Sequence, residues 1–272
     1  MHTAVRLAAE GTRVFATMRN TNKAGALVEL AKTRGVDLDV LELDVQKENS
    51  IHAAVARAAA DGGSIDILVN NAGFGSVRSL EQATSPQINE IMDVNFFGVV
   101  RCIRAVLPLM RAKRFGRIAC ISSVGGLVGQ PLNEIYCAAK FALEGLVESM
   151  ATYTEAFFGI KMMLIEPAGI QTEFVNRVLT DLKQEKSSLE DVYGPILAKY
   201  IEQATKRGAF ETGAQTPSEV ADVVVDTLKD DSAGLRTQTS DRARDFAKEK
   251  LQGDPTGALL QKRIRAEQLG LD

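Results

Sequence analysis

Tyr136 and Lys140 stand four residues apart, and Ser123 precedes Tyr136 by thirteen. On a helix, positions i and i+4 share a face, so the phenol and the ammonium point into the same space. An ammonium beside a phenol favours the phenolate and lowers a pKa that begins near ~10. A tyrosine tuned in this way hands a proton to a carbonyl oxygen, or takes one from an alcohol. Ser123 follows the run Arg117-Ile118-Ala119-Cys120-Ile121, which reads as a buried strand. Open parallel sheets place their ligands at strand ends. The spacing therefore predicts three side chains converging on one oxygen atom, the chemistry of carbonyl–alcohol redox. A tyrosine four residues before a lysine is also common on ordinary helices, so the weight of the pair depends on its neighbours.

The elements that must position these residues alternate along the chain. Thr12 to Met18, Leu38 to Leu43, Ile65 to Val69, Lys161 to Ile165 and Leu235 to Thr239 read as strands. Lys23 to Arg34, Asn49 to Ala60, Pro86 to Arg114 and Glu134 to Phe158 read as helices, and Thr216-Pro217-Ser218-Glu219 is a helix start with a capping box. Such alternation predicts an α/β fold with a doubly wound parallel sheet, as one domain over residues 1–272. No internal repeat, linker or low-complexity segment interrupts it.

Composition narrows the function classes. The 272 residues carry a formal charge of −3 and no basic face, which argues against a nucleic-acid surface. The basic cluster Arg111 to Arg114 fits a helix C-terminus through its dipole. Cys102, Cys120 and Cys137 are scattered through apolar patterns and read as reduced thiols, and with His2 and His52 they offer no metal-ligand spacing. No apolar run reaches the ~18 residues of a membrane span and no signal peptide opens the chain, so a cytoplasmic protein is expected.

Asn70-Asn71-Ala72-Gly73 after the third strand and Asp93-Val94-Asn95-Phe96-Phe97-Gly98 on the next helix complete the pattern. With Ser123 and Tyr136-x-x-x-Lys140, in this order and spacing, the chain resembles the short-chain dehydrogenase/reductase family over about residues 12–172. Ser122 to Gly129, Phe141 to Ser149 and Ala16 to Arg19 look like its estradiol 17β-dehydrogenase and retinol dehydrogenase branch. The resemblance implies a Rossmann-like sheet and a catalytic set of Asn95, Ser123, Tyr136 and Lys140. In reduction Ser123 would hold the substrate oxygen and Tyr136 would protonate it. Lys140 would bond the nicotinamide ribose, and Asn95 would anchor a proton-relaying water. An apolar ketone, aldehyde or alcohol would be the substrate, and the two long helices would build a homodimer or homotetramer.

On the cofactor side, Asp44 matches the position that contacts adenine, with a helix cap as the plain alternative. Asn71, Ala72 and Gly73 resemble the segment beside the adenosine ribose; Ile170 and Thr172 resemble nicotinamide and pyrophosphate contacts. Arg19 ends the second family strand, where an acid would select NAD. A guanidinium there can pair with the 2′-phosphate of NADP, so NADP(H) is preferred and NAD(H) allowed, a solvated arginine being the alternative. Leu127 and Val128 are the expected pocket walls, and a substrate lip is expected at about 173–215.

One part of the pattern is missing. Met1 to Glu10 already looks like the first helix, closed by Gly11, with no strand and glycine-rich turn ahead of it. In the strand order 3-2-1-4-5-6 that strand is central, so its absence predicts two facing rows of unpaired backbone groups and an apolar slot. Two readings follow: a start placed at an internal methionine, or a truncated paralogue that binds without catalysing. An epimerase or dehydratase of the wider superfamily is a third, which a short C-terminal region disfavours.

Overall fold

All strand pairings among the described residues are parallel, and they fall into two separate pieces. The computed structural model describes residues 1–171, 191–206 and 214–254, together with Thr256 and Ala258. β1 (Phe15–Met18) pairs with β2 (Asp39–Glu42), Phe15 opposite Asp39. β3 (Ile67–Asn70), β4 (Gly116–Ile121), β5 (Ile160–Glu166) and β6 (Arg236–Gln238) form a second piece in that order.

Helices cover both faces. They are α1 (His2–Ala9), α2 (Gly25–Thr33), α3 (Glu48–Gly62), α4 (Ser85–Met92), α5 (Gly98–Lys113), α6 (Glu134–Ala151), α7 (Thr154–Phe158), α8 (Gly194–Lys206), α9 (Pro217–Lys229) and α10 (Asp241–Lys250). Successive strand residues point to opposite faces, so a strand covered on both sides must be apolar throughout. Ile118 and Cys120 of β4 and Ile160, Met162 and Leu164 of β5 pack with Val106 of α5 and Leu143 and Val147 of α6. Their strand neighbours Ala119, Met163 and Ile165 pack on the other face with Val5 and Leu7 of α1 and Val224 and Val225 of α9.

Between β1 and β3 lies the slot that the sequence predicts. Among the described residues β1 pairs only with β2 and β3 only with β4. A cavity of about 1100 Å³ separates them, lined by Ala16 and Met18 on one side, Leu68 and Asn70 on the other, and Leu27, Val99 and Cys102 above and below. The facing edges leave backbone donors and acceptors without ladder partners.

Most expected elements are present with narrower limits. The strand expected from Thr12 begins at Phe15, and that expected from Leu38 to Leu43 is Asp39–Glu42. Glu134 to Phe158 is two helices, because the chain turns at Thr152 and Tyr153 before α7. Pro86 to Arg114 is not one regular helix: the five residues Asp93–Phe97 form a π-helical turn between α4 and α5. Such turns cost hydrogen-bond regularity and are frequent at functional sites. Among the described residues no helix is long and apolar enough to cross a membrane.

Candidate active site

Ser123 leaves the end of β4 in extended conformation, φ −169° and ψ 160°, and is followed by a single 3₁₀ turn, Val124–Gly126. Its hydroxyl accepts the Gly125 N–H at 3.0 Å and hydrogen-bonds the phenol of Tyr136. Gly125 is needed for this approach: a Cβ there would stand 3.3 Å from the Tyr136 ring and 3.4 Å from Ser123 Oγ. One turn along α6 from Tyr136, the Lys140 Nζ sits 5.8 Å from the Tyr136 ring centroid. It donates to the Ile121 carbonyl at 2.8 Å. Strand end and helix face therefore meet, as the spacing predicts.

Asn95 closes the group from the π-helical turn. Its side chain is fully buried and donates to the Phe74 and Ile91 carbonyls, both at 2.9 Å, while accepting Phe74 N–H at 3.2 Å. A Cβ on Gly73 would stand 2.7 Å from Asn95 Oδ1 and 3.6 Å from Lys140 Nζ. The backbone of the Asn71–Gly73 segment thus passes directly over this cluster, with all three residues exposed.

The electrostatics differ from the expectation. Burial pushes the Tyr136 phenol up to about 12, opposed by the hydrogen bond from Ser123; the ammonium does not lower it. Burial also brings Lys140 down to about 8, against the pull of Cys120 and Glu144. Lys140 is 5 % exposed and its hydrogen bond goes to Ile121 and not to the phenol, so burial decides the Tyr136 shift. A phenol held this high is protonated at neutral pH and has a proton to give to a carbonyl oxygen, but it is a weaker acid than an unperturbed tyrosine.

A cleft of about 560 Å³ leads away from this group. Arg19, Asp44, Ala72 and Gly73 line it, with Arg78 and Gln87, which sequence reasoning did not single out. Arg19 is exposed and makes no ion pair among the described residues. Asp44 has local work: its Oδ1 accepts Gln46 N–H at 3.1 Å, a turn ahead of α3, while its own N–H donates to Ser50 Oγ at 2.9 Å. Asn71 lies on the large slot instead. Ile170 packs against the α1–α9 core and bridges to Gln215. Thr172 lies outside the described residues, as does most of the expected lip.

On the substrate side, Leu127 is buried at 4 % exposure, and Val128 is half-buried. Of the expected lip, α8 is described. Its Leu197 is buried, Ile196 faces outward, and Tyr200 Oη lies 3.4 Å from Asn133 Nδ2, at the start of α6. No group of metal-binding side chains is present among the described residues.

The geometry agrees with what the chain is similar to. A sequence model of the short chain dehydrogenase family matches residues 1–183. The 17-beta-hydroxysteroid dehydrogenase type 1 of Homo sapiens is 36% identical over 264 residues, covering 95% of this chain and 79% of that protein. Retinol dehydrogenase 8 of Bos taurus is 36% identical over 257 residues, covering 91% and 78%. Among solved structures, a short-chain dehydrogenase from Streptomyces avermitilis superposes with a TM-score of 0.73 at 27% identity, covering 100% of this chain and 93% of that one. The chain belongs to the short-chain dehydrogenase family and is an oxidoreductase.

Proposed function

We propose that this short-chain dehydrogenase interconverts an apolar ketone or aldehyde with its alcohol, using NADP(H), with Tyr136 as the acid and base. The observation that carries the reading is the meeting of Ser123, Tyr136, Lys140 and Asn95 at the end of β4. The Ser123 hydroxyl holds the substrate oxygen, and the Tyr136 phenol gives that oxygen its proton in reduction or takes it in oxidation. Lys140 and Asn95 would form the floor that holds the cofactor's sugar. Gly73 leaves room there that any side chain would fill.

A nicotinamide dinucleotide supplies the hydride in this chemistry. Asp44, Ala72 and Gly73 would hold its adenosine end along the cleft, and the Arg19 guanidinium would meet a 2′-phosphate. Val128 and α8 would border the substrate, with Leu127 behind. The names of the steroid and retinol relatives support an apolar substrate.

Thermal-shift titration with NADPH and NADH, followed by NADPH-oxidation assays on apolar ketones, tests this reading. Tyr136→Phe should cut turnover about 10³-fold while the NADPH-induced shift survives. Retained turnover removes Tyr136 from its role. Stabilisation by neither nucleotide calls for the same titration on a chain extended upstream, and its failure there would remove the NADP(H) reading.

A further inference from the structure

Tyr136, Lys140, Glu144 and Glu148 follow one another at intervals of four, a single stripe along α6. The first two belong to the site. The other two turn onto a buried ionic cluster beneath it. Arg236 of β6 donates through Nε to Glu144 at 3.1 Å, lies 3.3 Å from Glu166 of β5, and reaches Glu148 through a terminal nitrogen at 2.8 Å. Gln238 donates to the second oxygen of Glu166 at 2.7 Å. Glu144 is 4 % exposed, Glu166 0 % and Arg236 7 %.

Three carboxyls thus surround one guanidinium, and an uncompensated charge at this depth is costly. The hydrogen-bond pattern says where compensation enters. Glu144 Oε1 and Glu166 Oε1 are both buried without a hydrogen bond of good geometry: Arg236 Nε stands 3.3 Å from Glu166 Oε1, the equally buried Ser122 hydroxyl lies against Glu144, and the two carboxyls lie against each other. Two acceptor oxygens can face one another in a bond only if one carries a proton.

We propose that Glu144 and Glu166 share one proton, and that this carboxyl pair is a positioning element locking the end of β4 to the reactive face of α6. The connection is short. Ser122, whose N–H is held by Ile165 at 2.8 Å, places its hydroxyl against Glu144, and the next residue is Ser123. A Cβ on Gly126 would stand 2.8 Å from both Ser122 Oγ and Glu144 Cγ, so the turn below the site is closed over this contact. Residues 121, 122 and 123 therefore meet Lys140, Glu144 and Tyr136 respectively. With the proton in place the strand end is held by three successive turns of one helix. Losing it sets two carboxylates against each other under the site.

The other ionisable groups around the pair do not supply a further cation. Cys120 of β4 is neutral, Arg244 of α10 is spent on Asp241 and the Gln238 carbonyl, and Lys140 acts on Glu144 only through space, its hydrogen bond going to the Ile121 carbonyl. Burial first, then the neighbouring Glu144 charge, raises Glu166 from 4.5 to about 8. A carboxyl whose folded pKa is raised favours the folded state at low pH. Its contribution is complete below about 4.5 and lost as pH rises to about 8.

This inference rests on the oxidoreductase reading only for its catalytic consequence, so the test has two arms. Infrared difference spectra of wild-type chain, Glu144→Gln and Glu166→Gln at pH 7 should show a protonated-carboxyl band in the wild type, disappearing above about pH 8. Both single variants should lose it, since an amide N–H replaces the proton whichever oxygen carries it. A wild type without the band, or a band surviving either substitution, overturns the shared proton. In the second arm, turnover at pH 9 relative to pH 7 should fall at least threefold more in wild type than in Glu166→Gln. Equal alkaline losses overturn the positioning role. A wild type without turnover removes that role together with the proposed carbonyl–alcohol reaction, while the infrared arm still decides the proton.

Discussion

Lys140 directs its ammonium to the carbonyl of Ile121, 2.8 Å away, and leaves the Tyr136 ring centroid at 5.8 Å. The amine is therefore tied to the strand that carries Ser123, and it is held there in a position where its charge is poorly solvated. Burial lowers it from 10.5 to about 8. A lowered lysine pKa means that the unfolded chain binds the proton more tightly than the folded one. The contribution to stability is present above about 10.5 and is lost as pH falls to about 8.

Lys140→Met keeps the length of the side chain and removes that charge. Two and a half pKa units correspond to roughly 3 kcal/mol, reduced by about 1 kcal/mol for the unpaired Ile121 carbonyl. The variant should be more stable than wild type at pH 7 by about 2 kcal/mol and should lose this advantage between about pH 8 and 10.5. Turnover should be lost at all pH values. Denaturant unfolding across pH measures the first, and a variant less stable than wild type at pH 7 would show that the amine sits comfortably in its place.

The residues that carry this argument were legible to different degrees. Ser123, Tyr136 and Lys140 could be found because helix period and strand end fix their relative positions without knowledge of the fold. The slot could be anticipated from strand order alone. The direction of the Tyr136 shift could not, since it depends on how deeply the phenol is buried and where the Lys140 hydrogen bond goes. Nor could the π-helical turn that carries Asn95, because the apolar pattern runs through Asp93–Phe97 without a break. Nothing in the one-dimensional pattern sets Glu144 and Glu148 apart from the other charges of their helix. Only the packing of β5 and β6 against α6 turns them inward toward Arg236.

Gly73 and Asn95 form the tightest joint of the site. An added Cβ would lie 2.7 Å from Asn95 Oδ1, closer than van der Waals contact permits. Asn95 cannot yield easily, being fully buried and held by Phe74 and Ile91 through three hydrogen bonds. Gly73→Ala should therefore cost about 2 kcal/mol through displaced buried hydrogen bonds, and lower kcat at least tenfold. Thermal unfolding and steady-state kinetics read the two effects. An unchanged kcat would mean that the Asn95 position is not required for turnover.

On the proposed function, cofactor choice would come down to Arg19, no acid standing at the end of β1. The side chain is exposed, lines the cleft with Asp44 and Ala72, and has no ion-pair partner among the described residues, so its charge is available to a bound anion. Arg19→Asp reverses that charge. An aspartate repels a 2′-phosphate and accepts a hydrogen bond from a free ribose hydroxyl instead. The affinity for NADPH should fall by about 30-fold, about 2 kcal/mol, while that for NADH stays the same or improves. Isothermal titration with each nucleotide decides it: parallel changes in both affinities would place the 2′-phosphate elsewhere and leave Arg19 a solvated loop residue.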